Sequence, residues 1–188
     1  RDPSTFQSPS GSTLINHFLA QHAVDSIARI GTGQCIEQYG TGEAFLPVLD
    51  LLSRWLKQDE DKQLANALRH FAPSWVQRFP QLRQASKEAV TGASLSVREL
   101  CDALEFLSDE QALVLVLEDL QWSDQSTLDL IASLARRTTA ANIMVVGSYL
   151  SEDVLLHQNA LPTLKQELLV HGLCREFPLQ PLDAEGIG

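Results

Sequence analysis

The sequence predicts an α/β domain, a parallel β-sheet flanked by helices. "LVLVL" (113–117) and "IMVV" (143–146) are unbroken apolar runs, the pattern of strands covered on both faces, as in parallel sheets. A helical pattern lies between them, so strand, helix and strand alternate as a right-handed parallel crossover requires. The first run ends in two adjacent acids, Glu118 and Asp119, at the end of the strand where such sheets hold ligands.

The elements follow in order. "STLINHFLAQHAV" (12–24) reads as a helix with Leu14, Phe18 and Leu19 on one face and Ser12 or Thr13 as its cap. "ARIGTGQC" (28–35) suits a short strand, and "YGTGE" (39–43) a turn. "AFLPVLDLLSRWL" (44–56) is a strong helix, with Phe45, Val48, Leu49, Leu52 and Leu56 aligned and Pro47 in its first turn. One or two helices fill 62–85, broken near Pro73 and Pro80, and another spans 94–107 with Leu100, Leu104 and Leu107 aligned. The helix at 124–137 places Leu128, Ile131, Ala132 and Ala135 on one face, with Asp124 as its cap. After a strand at 142–149 comes a helix at 160–172 ended by Gly172, then a last strand in "CREFPLQPL" (174–182).

A length of 188 residues suffices for one domain with a sizeable core. An apolar share of 44% argues against disorder. Acids outnumber bases 24 to 14, for a net charge of -10. That disfavours direct nucleic-acid binding, which needs clustered cations, but leaves room for one bound nucleotide. Cys35, Cys101 and Cys174 form no CxxC pair, which argues against zinc and suits a reducing cytoplasm. No apolar run approaches a membrane span, and the polar start is unlike a signal peptide. The absence of an initiator Met suggests a fragment of a longer chain.

Two neighbouring carboxylates repel unless a cation sits nearby. Magnesium on nucleotide phosphates answers that need, because it takes hard oxygen ligands and keeps several waters. One acid can hold the ion while the other orients or deprotonates an attacking water. Trp122 packs under this acidic turn or contacts the nucleotide.

With its flanks, "LVLVLEDLQWSDQSTLDLIASLARR" (113–137) closely resembles the Walker B region of bacterial AAA-like, STAND-type P-loop ATPase modules. Such modules sit in large signalling proteins, among them regulators with LuxR-type DNA-binding domains and nucleotide cyclases. The resemblance continues through "GQCIEQYGTGEAFLPVLDLLSRW" (33–55), "LRHFAPSW" (68–75), "VVGSY" (145–149) and "HGLCREFPLQPLD" (171–183). It implies a P-loop NTPase-like fold and a switch that binds ATP with Mg2+ and hydrolyses it slowly. It makes Glu118 and Asp119 look like the Walker B acids. It sets Ser148 or Tyr149 where the family carries a γ-phosphate sensor, and Leu150 where an arginine is frequent. Partners are then other domains of the same chain, or further copies of it.

A P-loop reads GxxxxGK[ST]: backbone N–H groups cradle phosphates, the lysine reaches the β/γ-phosphates and the hydroxyl binds magnesium. The matching place is "TFQSPSGSTLINHF" (5–18). With Ser12 as the magnesium hydroxyl, Gly11 takes the lysine's place; with Thr13 instead, Ser12 takes it. The first lysine in the chain is Lys57. Gly11, Ser12 and Thr13 remain candidates for holding phosphate through backbone N–H groups. The expected layout is an irregular start (1–11), a partial P-loop NTPase-like domain (12–183) lacking its first strand, and the start of a linker (184–188) to a missing lid. The alternative function is a pseudo-ATPase scaffold for protein interaction that no longer binds nucleotide.

Overall fold

A computed structural model describes residues 28–37, 43–59, 62–83, 94–137, 141–151 and 160–179. The helix expected at 12–24, and with it Gly11, Ser12 and Thr13, lies outside the described residues, as does most of the turn expected at 39–43.

The described residues form a three-stranded parallel sheet flanked by helices, in the order β1-β2-β3. Strand β1 is Ala28–Gln34, β2 is Ala112–Glu118 and β3 is Ile143–Gly147. Gln34 stands in register with Glu118, and Leu117 with Gly147, so the three strands end together. Helices α1 (Leu46–Lys57), α2 (Gln63–Phe71), α3 (Pro73–Val76) and α4 (Val97–Glu110) separate β1 from β2. Helix α5 (Gln125–Ala135) links β2 to β3, and α6 (Leu161–Val170) follows.

Apolar spacing explains the packing. Val48, Leu51 and Leu52 of α1, Leu104 of α4 and Leu130 of α5 converge on Leu115 and Leu117 of β2 and Val145 of β3. Fully buried Trp55 still satisfies its indole, which donates to the Ile30 carbonyl at 2.8 Å. Ser96 caps α4 through the Glu99 N–H, so this helix starts after the expected residue 94. Pro73 opens α3 and Pro80 opens a 3-10 turn, so these prolines begin elements as well as ending them.

Two expectations are corrected. Strand β3 is not covered on both faces: Met144 is 51% exposed. Residues 174–179 form no strand. A strand needs a neighbour to receive its backbone groups, and Pro178 has no N–H to give. The helix before this segment does stop at Gly172 (φ 67), with Leu173 donating to the Leu168 carbonyl and Gly172 to that of Leu169.

Candidate functional site

The site lies where β1, β2 and β3 end. Directly after β2 the chain turns through a left-handed residue, Asp119 (φ 58, ψ 45), and enters a short 3-10 turn, Leu120–Trp122. Asp tolerates this backbone better than most residues, and such conformations cluster at functional sites. The turn carries the Asp119 carboxylate to Gln34, the register partner of Glu118. Gln34 Nε2 donates to Asp119 Oδ2 at 2.9 Å. From the other side, Gln121 Nε2 donates to Asp119 Oδ1 at 3.4 Å.

The backbone of Asp119 is held as well. Its N–H donates to Ser148 Oγ at 3.3 Å, and the next N–H, of Leu120, donates to the Ser148 carbonyl at 2.8 Å. Ser148 therefore stands beside the acids just after β3, with its hydroxyl proton left to donate. The Tyr149 hydroxyl instead donates to Glu176 and accepts from Lys165 Nζ at 2.9 Å. Of the two residues expected at the sensor place, Ser148 is the one beside the acids.

The third acid, Asp124, serves structure. Its Oδ1 accepts the N–H of Thr127 at 3.0 Å, capping α5 as its position in the sequence predicts. Trp122 is half-buried and packs against the core. Beneath the acids lies Cys35, 2% exposed, whose thiol is pushed up to about 12, by burial first and then by Asp124 and Asp119. It stays protonated at neutral pH, so it is no nucleophile there.

The donor set fits magnesium. The ion takes one or two carboxylates plus phosphate oxygens and waters rather than an all-protein cage. Glu118, half-buried at the strand end, and Asp119 supply hard oxygens at adjacent positions. The described residues hold no cluster of three or more His, Cys, Asp or Glu side chains placed for a metal, so substrate oxygens would have to complete the shell. Ser12, the third expected ligand, is outside the described residues.

The family model of the AAA ATPase domain matches residues 12–146, more than half of the chain. The chain belongs to the AAA ATPase domain family. Comparison with curated proteins and with solved structures gives no significant match. An AAA ATPase domain is a P-loop NTPase-like, nucleotide-binding module that generally binds ATP with Mg2+, and the parallel sheet agrees with it. In this AAA ATPase domain no helix among the described residues is long and apolar enough to cross a membrane.

The sequence names Glu118, Asp119 and Ser148 as candidates, and the fold places them together at the strand ends. Gln34 and Gln121 were missed. The signal for Gln34 was its place as the last polar residue of a strand whose end abuts the acids. The signal for Gln121 was an amide between Leu120 and Trp122 in an otherwise apolar turn.

Proposed function

We propose that this AAA ATPase domain is a slow ATP-hydrolysing switch within a larger signalling or transcription regulator of the STAND type, acting in the cytoplasm. One observation carries the reading. The Asp119 carboxylate, next in sequence to Glu118, is held by two amides at the ends of the strands, and the Asp119 backbone N–H rests on the Ser148 hydroxyl.

In this reading Glu118 takes the magnesium of the nucleotide, with Asp119 next to it and Ser12 as a further ligand. The ion supplies charge neutralisation to the phosphates. Asp119, clamped by Gln34 and Gln121, orients the attacking water and accepts its proton. Ser148 donates its hydroxyl to a phosphate oxygen beyond the strand ends. Gly11, Ser12 and Thr13 offer backbone N–H groups to phosphate. The domain passes its state to other domains of its chain or to further copies of itself, without contacting nucleic acid or membrane directly.

Phosphate release with magnesium and ATP, measured in the full-length protein that carries this chain, tests the reading. Asp119→Asn should slow turnover by roughly 100-fold while ATP still binds, because positioned acid–base catalysis is worth about that much. Glu118→Gln should shift the magnesium dependence to higher concentrations. Normal turnover in both variants overturns the assignment.

The absence of any lysine before Lys57 favours a second reading, a pseudo-ATPase that scaffolds other proteins. A P-loop lysine makes charge-assisted contacts worth about 1.5–3 kcal/mol each. Residues 1–188 alone should then show no heat of binding with sub-millimolar ATP and magnesium. Micromolar binding by this chain would dismiss the scaffold reading.

A further inference from the structure

The Gln121 side chain is 2% exposed. A buried primary amide is costly unless its groups find partners. Its Oε1 accepts the backbone N–H of Leu150 at 3.1 Å, and its Nε2 donates to Asp119 Oδ1 at 3.4 Å. The orientation of the amide follows from its surroundings. The Leu150 N–H requires an acceptor and the Asp119 carboxylate requires a donor, so neither end can be exchanged.

Hydrogen bonds join the turn after β2 to the segment after β3. Asp119 N–H meets Ser148 Oγ, Leu120 N–H meets the Ser148 carbonyl, and Leu150 N–H meets Gln121 Oε1. The first two join backbone to Ser148. The third continues through the amide to the carboxylate itself. Gln34, the other donor to that carboxylate, belongs to an exposed position on β1.

We propose that Gln121 is a positioning residue that transmits the placement of the segment after β3 to the Asp119 carboxylate. Movement of the Leu150 backbone pulls on Oε1, and Nε2 turns the carboxylate with it. The proposal rests on Asp119 being the water-orienting acid. It adds that contact between the 148–150 segment and a phosphate, and orientation of the acid, are one coupled event.

The test uses two measurements. In the 188-residue chain, the Leu150 amide resonance is followed by heteronuclear NMR. Asp119→Asn should shift that resonance in the wild-type background. In a Gln121→Met background, of similar volume but without either hydrogen bond, the same replacement should shift it several-fold less. Equal shifts in both backgrounds overturn the proposal. Gln121→Leu, which likewise lacks both hydrogen bonds, serves where the Met variant fails to fold. There Asp119→Asn should again have a several-fold smaller effect on the Leu150 amide, and an undiminished effect overturns the proposal.

In the full-length protein, Gln121→Met should lower kcat roughly tenfold to hundredfold, the cost of a misplaced catalytic group, with KM for ATP within about twofold. A purely space-filling glutamine would leave kcat unchanged, and that outcome also overturns the proposal. If Asp119→Asn leaves turnover untouched, the nucleotide reading fails, while the NMR comparison still decides whether Gln121 couples the two segments.

Discussion

Asp124 binds Phe45 across 79 positions of sequence: its Oδ1 accepts the Phe45 N–H at 3.2 Å. The same oxygen takes the Thr127 N–H at 3.0 Å, and Oδ2 takes the Thr127 hydroxyl at 2.5 Å. One carboxylate thus caps α5 and holds the entry to α1, where Phe45 sits in a left-handed conformation (φ 62) rare for a bulky side chain. The starts of the two helices are thereby tied to each other.

Replacing Asp124 by Ala should therefore cost more than a lost cap. A cap is worth about 1 kcal/mol, and the Phe45 N–H would lose its acceptor in a buried setting, so the sum is about 2–3 kcal/mol. Asp124→Asn keeps the acceptor oxygen and should cost less than half as much. Urea denaturation of the three proteins measures this. Equal stability of the Ala variant and wild type would show that the tie to Phe45 contributes nothing.

Gly33 and Gly147 give a second, internal comparison. A Cβ on Gly33 would lie 2.1 Å from the Pro47 carbonyl oxygen, a clash of backbone against backbone at the start of α1. A Cβ on Gly147 would lie 2.4 Å from Leu120 Cδ1, the end of a side chain that can turn away. Gly33→Ala should cost about 3 kcal/mol, the upper range for overpacking, and Gly147→Ala about 1 kcal/mol or less. The reverse order in thermal melts would mean that β1 can slide off α1, which the packing argument denies.

Local chemistry explains what was legible in the sequence. An apolar run marks β2 because a central strand has no polar side to show, whereas β3 carries such a run at the edge of the described sheet with Met144 exposed. Asp124 announces its helix because it stands just before an apolar helical pattern, where its carboxylate can accept the N–H three residues on. Gly172 marks a stop because glycine accepts a positive φ without strain. The amide clamp on Asp119 could not be read this way. Gln34 meets Asp119 across 85 positions, and only the register of β1 on β2 brings them together. The segment 174–179 misled for the related reason that strand-like composition creates no strand without a neighbour to pair with.

A surface latch joins this segment to the sheet. Lys165 Nζ donates to Glu176 Oε1 at 2.8 Å and to the Tyr149 hydroxyl at 2.9 Å, while that hydroxyl donates to Glu176. Glu176 is held below the usual carboxylate range, by Lys165 first and Tyr149 next. Lys165 is raised, chiefly by Glu176. A depressed acid contributes above its unfolded value and loses that contribution as pH falls through the folded one. A raised amine contributes below its unfolded value and loses it as pH rises through the folded one. The latch is therefore closed across neutral pH and opens at both extremes. Lys165→Met should leave the melting temperature nearly unchanged, because exposed pairs stabilise little. It should speed trypsin cleavage after Arg175 by roughly threefold or more at pH 8, through local opening. An unchanged cleavage rate would mean that the segment is held by something else.

The thiols define how the domain responds to alkali. Burial pushes Cys35 up to about 12 and Cys101 up to about 11, the latter despite a lowering influence from Arg137. Cys174 is partly exposed. At pH 8 a thiol reagent should label Cys174 in the native chain, and Cys35 and Cys101 only after unfolding, since the thiolate is the reactive species. The same shifts set a stability window. A thiol whose folded value is raised stabilises the fold fully below its unfolded value, 9.0 in both cases. Above that pH the unfolded chain releases the proton and the folded chain does not, so stability falls until the folded value is passed. Each unit of separation is worth about 1.4 kcal/mol. Folding free energy from urea titrations should accordingly decline between pH 9 and 11 by a few kcal/mol. Cys35→Ala will be less stable at pH 8, because it leaves a small cavity, but its decline with pH should be visibly shallower. If the two proteins lose stability in parallel over that interval, Cys35 is not buried as a neutral thiol beside Asp119 and Asp124.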